Sequence, residues 1–226
     1  FVGMSKFSLT AIPFFILAGV IMEYAGISRR LINLANACVG HYRGGLAVVT
    51  VVVACFFAAI SGSGPATVAA IGGVLIPAMK DAGYDKRFAT AIVASSGGIG
   101  MVIPPSIPFV IYAMLAEQSV GTMFMAGIIP GVLMGVAFAV AALLYLRNDQ
   151  HVIRQEKAPM VKRWEALKDA FWGLMTPVII LGGIYGGVFT PTEAAGVAVV
   201  YGLFVGIVIY REIKLKELIK VFIDAS

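Results

Sequence analysis

The chain has 226 residues, of which 60% are hydrophobic and only 13% are charged. This balance excludes an ordinary soluble domain, which is about a quarter charged, and indicates a chain whose main solvent is the lipid bilayer. The formal net charge of +5 comes from Lys and Arg residues at the ends of apolar runs, a pattern that sets membrane topology and excludes a nucleic-acid partner.

Length and patterning predict an all-α polytopic membrane protein. A bilayer core about 30 Å thick requires roughly 20 apolar residues per helical crossing, so the chain has room for about half a dozen crossings. Only helices and closed barrels satisfy the backbone in lipid, and the long apolar runs without alternation exclude the barrel. The chain opens with Phe1 and has no signal-peptide pattern, so we expect a piece of a longer protein.

Residues 1–45 are predicted to form a membrane helix and an interfacial helix. The first apolar run, Phe7 to Met22, is the membrane helix. Ser28 is the predicted N-cap of a second helix that continues to about Tyr42. Its length of roughly 15 residues and its flanking arginines favour a position at the membrane surface.

Residues 46–80 are predicted to form a re-entrant helical hairpin. They are apolar except for one break, Ser61 to Thr67, and the roughly 15 residues on each side are too few to cross a bilayer. Arg43 and Lys80 flank the two outer ends, which places both ends in the cytoplasm.

Residues 88–146 are predicted to form a broken crossing and a return helix. Glycines and prolines from Gly97 to Pro108 interrupt the crossing. The loop from Glu117 to Met123 contains no Lys or Arg, which places it outside. The run from Phe124 to Leu146 then returns to the cytoplasm, with a predicted kink at Pro130.

Residues 147–168 are predicted to be a cytoplasmic connector because they carry the densest group of basic residues. This group comprises Arg147, Arg154, Lys157, Lys162, Arg163 and Lys168. Two helices follow, Ala170 to Val188 and Ala194 to Tyr210, and Thr190-Pro-Thr-Glu193 predicts a capping box at the start of the second. A short surface helix is predicted from Leu215 to Ile223. In this topology every Lys and Arg except Lys6 lies in the cytoplasm or at the cytoplasmic interface.

The first break offers groups that could bind a cation or an anion. It ends one helix and starts another, so carbonyl and N–H groups lose their intrahelical partners. The carbonyls and the hydroxyls of Ser61, Ser63 and Thr67 are hard oxygen ligands for a small cation, whereas the helix N-terminus at Ala66 to Ala69 suits a carboxylate. The plainer alternative is an interhelical turn whose small residues allow close packing.

The second break has the same physical character over a longer stretch. Pro104 and Pro105 lack N–H donors and leave the carbonyls near Gly100 and Met101 available to a cation. The plainer alternative is a proline kink that neighbouring helices satisfy. Because neither break contains an ionisable side chain, the sequence argues against a proton relay and favours coupling to a metal cation such as Na⁺, with no cofactor.

Five motifs in order resemble the large membrane subunit of TRAP transporters, the tripartite ATP-independent periplasmic family, over nearly all of the chain. The motifs are Ile12-Pro-Phe-Phe-Ile-Leu-Ala-Gly19, Gly44-Gly-Leu-Ala47, Ile60-Ser-Gly-Ser-Gly64, Ile103-Pro-Pro-Ser106 and Gly187-Val-Phe-Thr-Pro-Thr-Glu-Ala-Ala195. The resemblance implies an elevator-type fold of inverted repeats, the second of which would begin within residues 170–226. Members of the family are about twice as long, so we expect about half of the fold and half of the transport site.

The resemblance also implies a function and partners. It implies a secondary transporter, not an enzyme, that uses a Na⁺ gradient to import an organic acid such as a C4-dicarboxylate or sialic acid. It implies a small membrane subunit, a periplasmic binding protein that delivers the substrate, and a multi-pass location in the bacterial inner membrane.

The family's Na⁺ site would lie near Ser61 to Gly64 and Gly100 to Pro105. The candidate sodium- or substrate-binding residues are Ser61, Gly62, Ser63, Gly64, Thr67, Gly97, Gly100, Ile103 and Pro105. The candidate Na⁺ ligands are backbone carbonyls and hydroxyls near Ser61, Ser63, Gly100 and Ile103.

Two other functions are weaker hypotheses. Glu193-Ala-Ala-Gly196 resembles the coupling-loop signature of membrane subunits of ATP-driven importers, but the predicted topology places Glu193 outside, away from any ATPase. An intramembrane enzyme would require a nucleophile with a base or a set of metal ligands, and the sequence offers neither.

Overall fold

A computed structural model describes residues 7–148, 152, 157–214 and 218–225, and every regular element within these ranges is helical. The α-helices are α1 Ala11–Tyr24, α2 Ile27–Val39, α3 Gly45–Ser61, α4 Gly64–Asp81, α5 Lys86–Gly97, α6 Ile107–Leu115, α7 Val120–Tyr145, α8 Met160–Tyr185, α9 Pro191–Phe204 and α10 Leu218–Asp224. Short 3-10 turns cover Phe7–Thr10, Gly98–Met101 and Leu146–Asn148, and a π-helical turn, Val205–Ile209, extends α9.

Within the described ranges, three helices are long and apolar enough to cross a membrane: α7, α8, and α9 together with its π-helical turn. Helices α1 and α2 are long and apolar enough to cross a membrane only when they are taken together, and the chain bends by 66° between them. The predicted all-α membrane fold is thereby confirmed. The division into the segments 1–45, 46–80, 88–146, 147–168 and 170–226 stays a prediction, as does the membrane depth of each segment.

The bend between α1 and α2 differs from the sequence prediction. Ser28 is not the N-cap of α2, because the helix begins at Ile27 and Ser28 is buried in its first turn. Gly26 holds the capping position with a φ of 71°, a left-handed conformation that glycine adopts without steric cost. A glycine therefore turns the chain where a serine cap was expected.

Helices α3 and α4 pack against each other as a hairpin. The break is narrower than the predicted Ser61 to Thr67: only Gly62 and Ser63 are non-helical. The Ser63 side chain accepts a hydrogen bond from the Ala66 N–H at 3.4 Å and so caps α4.

The broken crossing consists of α5, a 3-10 turn, a non-helical stretch and α6. Ser106 caps α6, and its hydroxyl also donates to the Met101 carbonyl at 2.7 Å across the break. The Pro104–Pro105 peptide bond is cis. The return helix α7 starts at Val120, earlier than the predicted Phe124, and continues through Pro130.

Helix α8 begins at Met160 instead of the predicted Ala170, so Lys162, Arg163 and Lys168 lie on a helix and not in a connector. The capping box of α9 is confirmed. The Glu193 carboxylate accepts from the N–H and the hydroxyl of Thr190, both at 2.8 Å, and the Thr190 hydroxyl accepts from the Glu193 N–H at 3.3 Å. The predictions that concern Lys6, Arg154 and residues 215–217 lie outside the described residues.

Helices α1 and α9 pack side by side and run in the same direction. Gly202 of α9 lies against Ile21, and Gly206, one turn later, lies against Ala25. Moving four residues along α9 and into its π-helical turn thus corresponds to moving four residues in the same direction along α1 and its C-terminal end. This correspondence indicates that the two helices run parallel. The predicted topology has both helices running from outside to inside, so this packing agrees with it.

Arg30 connects the bend between α1 and α2 to two other elements. Its guanidinium donates to the Ala25 carbonyl at 3.1 Å, to the Asp169 carboxylate of α8 at 3.2 Å and to the Glu212 carboxylate beyond α9 at 2.9 Å. It also lies 3.8 Å from the centroid of the Tyr210 ring. One planar fork thereby fixes three chain segments relative to one another.

Candidate ion-binding site

The break in the hairpin and the break in the crossing lie against each other. The Ile107 N–H, at the start of α6, donates to the Gly62 carbonyl at 3.1 Å. Gly62 has a φ of 62°, and a Cβ atom placed on it would lie 2.6 Å from the Pro105 carbonyl oxygen. The backbone approach at this point leaves no room for a side chain. Two segments that are distant in sequence therefore form one site.

Three oxygen atoms of the hairpin tip form a compact group, which we call the oxygen cluster: Ser61 Oγ, Thr67 Oγ1 and the Ser63 carbonyl oxygen. The two hydroxyl oxygens are 3.2 Å apart, and the Thr67 hydroxyl donates to the Ser63 carbonyl at 2.8 Å. Ser61 Oγ is 3.4 Å from the same carbonyl. Ser61 and Thr67 are fully buried and Ser63 is half-buried, so the two hydroxyls are shielded from the surface whereas the residue that supplies the carbonyl is not.

Gly100 of the second break faces the oxygen cluster. A Cβ atom on Gly100 would lie 3.0 Å from the Ser63 carbonyl oxygen and 3.0 Å from Thr67 Oγ1. The absence of a side chain allows the backbone of the broken crossing to reach the oxygen atoms of the hairpin. The carbonyl and hydroxyl oxygens of the hairpin tip are the hard ligands that alkali and alkaline-earth cations prefer.

The electrostatics of the site come from backbone dipoles, because residues 61–67 and 97–106 contain no ionisable side chain. The C-terminus of α3 and the N-terminus of α4 meet at Gly62 and Ser63. The N–H groups of Ala66 and Thr67 already donate to the Ser63 side chain and the Ser63 carbonyl. The α4 N-terminus therefore has fewer donors for a carboxylate than the sequence predicts, which favours the cation hypothesis at the tip.

Gly64 and Gly97 bring α4 and α5 into contact. A Cβ atom on Gly64 would lie 3.0 Å from the Gly97 carbonyl oxygen, and one on Gly97 would lie 2.1 Å from Val68 Cγ2. Both glycines were predicted as binding residues. Their close contacts give them a packing role that lets the two helices approach each other, and their part in binding stays a prediction.

Ile103 was predicted near the Na⁺ ligands, but the structure places it against α7. Its N–H donates to the Ile99 carbonyl at 2.9 Å, and its side chain packs on Gly131. Within the part of the chain that the structure describes, no hydrogen bond joins Ile103 to the oxygen cluster. The Met101 carbonyl, which the prolines were expected to free, accepts the Ser106 hydroxyl.

Three residues near the site were not predicted. Gly19 of α1 packs on Ser61, because a Cβ atom there would lie 2.9 Å from Ser61 Cβ. Ser106 caps α6, and a serine two residues before Pro108 is a signal that could have identified it. The Ser96 hydroxyl is fully buried one turn before Gly100 and has no hydrogen-bond partner among the described residues.

A helical membrane protein in which a hairpin tip meets an unwound crossing has the architecture of a solute-transporter permease. Comparison with known families is consistent with this class. The family model of the tripartite ATP-independent periplasmic transporter, DctM component, matches residues 1–226, and the chain belongs to that family.

Several curated proteins are similar over almost the whole chain. The C4-dicarboxylate TRAP transporter large permease protein DctM of Pseudomonas aeruginosa is 48% identical over 226 residues, which cover 97% of this chain and 51% of that protein. The 2,3-diketo-L-gulonate TRAP transporter large permease protein YiaN of Escherichia coli is 44% identical, with 99% and 52% covered. The sialic acid TRAP transporter large permease protein SiaM of Vibrio cholerae is 41% identical, with 97% and 51% covered. The chain spans about half the length of these relatives.

The family match also bears on the ATP-driven importer hypothesis. That hypothesis rested on Glu193-Ala-Ala-Gly196. In the structure the Glu193 carboxylate closes the capping box of α9, which gives the residue a local structural role.

Proposed function

We propose that the full-length protein containing this chain is the large membrane subunit of a Na⁺-coupled secondary transporter that imports an organic acid across the bacterial inner membrane. The names of the relatives support a C4-dicarboxylate or a sialic acid-like substrate. We expect a small membrane subunit to complete the permease and a periplasmic binding protein to deliver the acid. The observation that carries the proposal is the oxygen cluster at the junction of the two breaks.

Na⁺ is a transported substrate in this proposal, and the chain's own oxygens receive it. Ser61 Oγ and Thr67 Oγ1 can turn their protons away from the ion, because a hydroxyl hydrogen rotates to suit its surroundings. The Thr67 hydroxyl proton now points to the Ser63 carbonyl oxygen. When that proton turns away, the carbonyl oxygen becomes available to the cation. Gly100 lets the second break come within reach of the same ion.

Coupling between Na⁺ and the acid follows from position. A cation in the oxygen cluster adds one positive charge beside the start of α4, in a buried site where screening is weak. It therefore favours a carboxylate bound nearby. By linkage, a bound acid raises the affinity for Na⁺ by the same factor.

Uptake by the reconstituted system tests the proposed function. The full-length protein is placed in liposomes with its small subunit and supplied with its binding protein and radiolabelled C4-dicarboxylate or sialic acid. We expect uptake only with an inward Na⁺ gradient and with the binding protein present. Uptake of either acid at the same rate with K⁺ in place of Na⁺ would refute the coupling ion, and uptake without the binding protein would refute the delivery route.

Variants test the site. Ser61→Ala removes a neutral ligand of a cation, an interaction of about 1.5–3 kcal/mol, so the Na⁺ concentration for half-maximal uptake should rise roughly tenfold or more. Gly100→Val should have a similar or larger effect because its side chain would enter the oxygen cluster. Ser95→Ala, an exposed serine on α5, is the matched control and should behave as the wild type. Unchanged Na⁺ dependence in both site variants would exclude this location.

A further inference from the structure

We propose that Gly127 and Gly131 of α7 are positioning residues for the ion site. They hold the unwound segment, Val102 to Ser106, at the distance from α7 that lets Gly100 and Pro105 reach the hairpin tip. The inference rests on the proposed function, because its readout is the affinity for Na⁺. Helix α7 contributes no ligand, but through these two glycines it takes part in ion binding.

Contacts with the backbone of the unwound segment support this role. A Cβ atom on Gly131 would lie 2.4 Å from Ile103 Cγ1 and 3.3 Å from the Ile103 backbone nitrogen. A Cβ atom on Gly127 would lie 2.5 Å from the Val102 carbonyl oxygen and 2.3 Å from Phe109 Cε2. Any side chain at either position would push the segment away from α7.

The unwound segment is tied internally, so it transmits a displacement instead of absorbing it. The N–H groups of Val102 and Ile103 both donate to the Ile99 carbonyl at 2.9 Å. The Ser106 hydroxyl bridges to the Met101 carbonyl at 2.7 Å. A push at Ile103 therefore reaches Gly100 on one side and Pro105 on the other.

The opposite side of the segment faces the hairpin. Gly100 lies against the Ser63 carbonyl and Thr67 Oγ1, and Pro105 lies against Gly62. The segment is thus held between α7 and the hairpin tip. Helix α7 also contacts the hairpin directly, because Gly135 lies against Cys55 of α3. One helix therefore sets the positions of both breaks.

The two positions differ in a way that allows a sharp test. The severe clash at Gly131 is with Cγ1 of the Ile103 side chain, an atom that a second substitution, Ile103→Ala, removes. The clash at Gly127 includes a backbone carbonyl, which no side-chain substitution removes. We therefore expect Ile103→Ala to restore function to Gly131→Ala, and Phe109→Ala to fail to restore Gly127→Ala.

The experiment measures the half-saturating Na⁺ concentration for uptake by the full-length protein, reconstituted with its small subunit and binding protein. This quantity does not depend on how much protein is active. Gly131→Ala should raise it at least about fivefold, since a misplacement of about 1 Å can cost up to a hundredfold at a preorganised site. The double variant Gly131→Ala with Ile103→Ala should return to within about twofold of Ile103→Ala alone.

Gly121→Ala is the matched control on the same helix, because the atoms nearest to its Cβ would be at an ordinary 3.7 Å. It should leave the half-saturating concentration unchanged. A Gly131→Ala protein with wild-type Na⁺ affinity would overturn the inference. So would a Gly131→Ala protein without uptake that Ile103→Ala does not restore. If wild-type uptake itself ignores Na⁺, the proposed function fails instead, so the two failures are distinguishable.

Discussion

Gly62 is the residue at which the two breaks touch, and its replacement by alanine should destabilise the protein through two separate effects. The first is backbone strain, because the φ of 62° is in the left-handed region that disfavours residues with a Cβ atom. The second is steric, because the new Cβ atom would lie 2.6 Å from the Pro105 carbonyl oxygen. That oxygen belongs to the backbone and cannot move without displacing the second break.

Gly187 provides a matched control that separates the two effects. It has a φ of 70°, close to that of Gly62, but no atom lies within 4 Å of the position its Cβ atom would take. Gly187→Ala should therefore cost only the backbone strain, about 1–2 kcal/mol. Gly62→Ala should cost that amount plus about 1–3 kcal/mol for the steric displacement, or about 2–5 kcal/mol altogether.

The measurement is the free energy of unfolding of the purified full-length protein in detergent, with the two variants and the wild type in the same Na⁺ buffer. We expect Gly62→Ala to be less stable than Gly187→Ala by about 1–3 kcal/mol. The excess should diminish when Na⁺ is replaced by K⁺, because the displaced break would also bind Na⁺ less well. Equal destabilisation by the two substitutions would show that the breaks do not press against each other as described.

Three further predictions concern single side chains. Thr67→Val keeps the shape of the side chain and removes the hydroxyl that joins Ser61 in the oxygen cluster, so the half-saturating Na⁺ concentration for uptake should rise about tenfold; no rise would remove Thr67 from the site. Thr190→Ala opens the capping box of α9 and should lower the free energy of unfolding by about 1 kcal/mol. The Na⁺ affinity should not change, and a changed affinity would contradict a purely structural role for Thr190. Arg30→Lys keeps the charge but loses the planar guanidinium that makes three contacts. Thermal unfolding in detergent should show that the free energy of unfolding falls by about 1–2 kcal/mol. An unchanged stability would mean that the geometry of the guanidinium contributes nothing.

Local signals in the sequence were sufficient to predict that the chain is helical and where its two breaks lie, although several helix ends were misplaced. Glycine and proline interrupt an apolar run for reasons that act within a few residues, so the break at Gly62 could be located without knowledge of the fold. The capping box at Thr190 is equally local, because its two hydrogen bonds join residues three positions apart. Such features depend little on what the rest of the chain does.

The contacts between segments could not be predicted in this way. Ile103 was expected near the ion because the family resemblance places the Na⁺ site near Gly100 to Pro105, but its side chain packs on Gly131 of α7. The start of α8 was placed too late because Lys162 and Arg163 were assigned to a cytoplasmic connector, although basic residues are compatible with a helix that extends beyond the lipid. For Ile103, a neighbour distant in sequence decides the outcome.

The parallel pairing of α1 with α9 has a consequence for the order in which the protein is made. About 180 residues separate Ile21 from its partner Gly202, and at a synthesis rate of about 5–20 residues per second the first helix waits roughly 10–40 s for the second. During that time Ile21, and Ala25 just beyond the end of α1, lack α9 and its π-helical turn as packing partners. A ribosome that stalls before α9 would therefore leave a membrane-inserted chain with an uncovered face, a form that quality-control proteases should recognise.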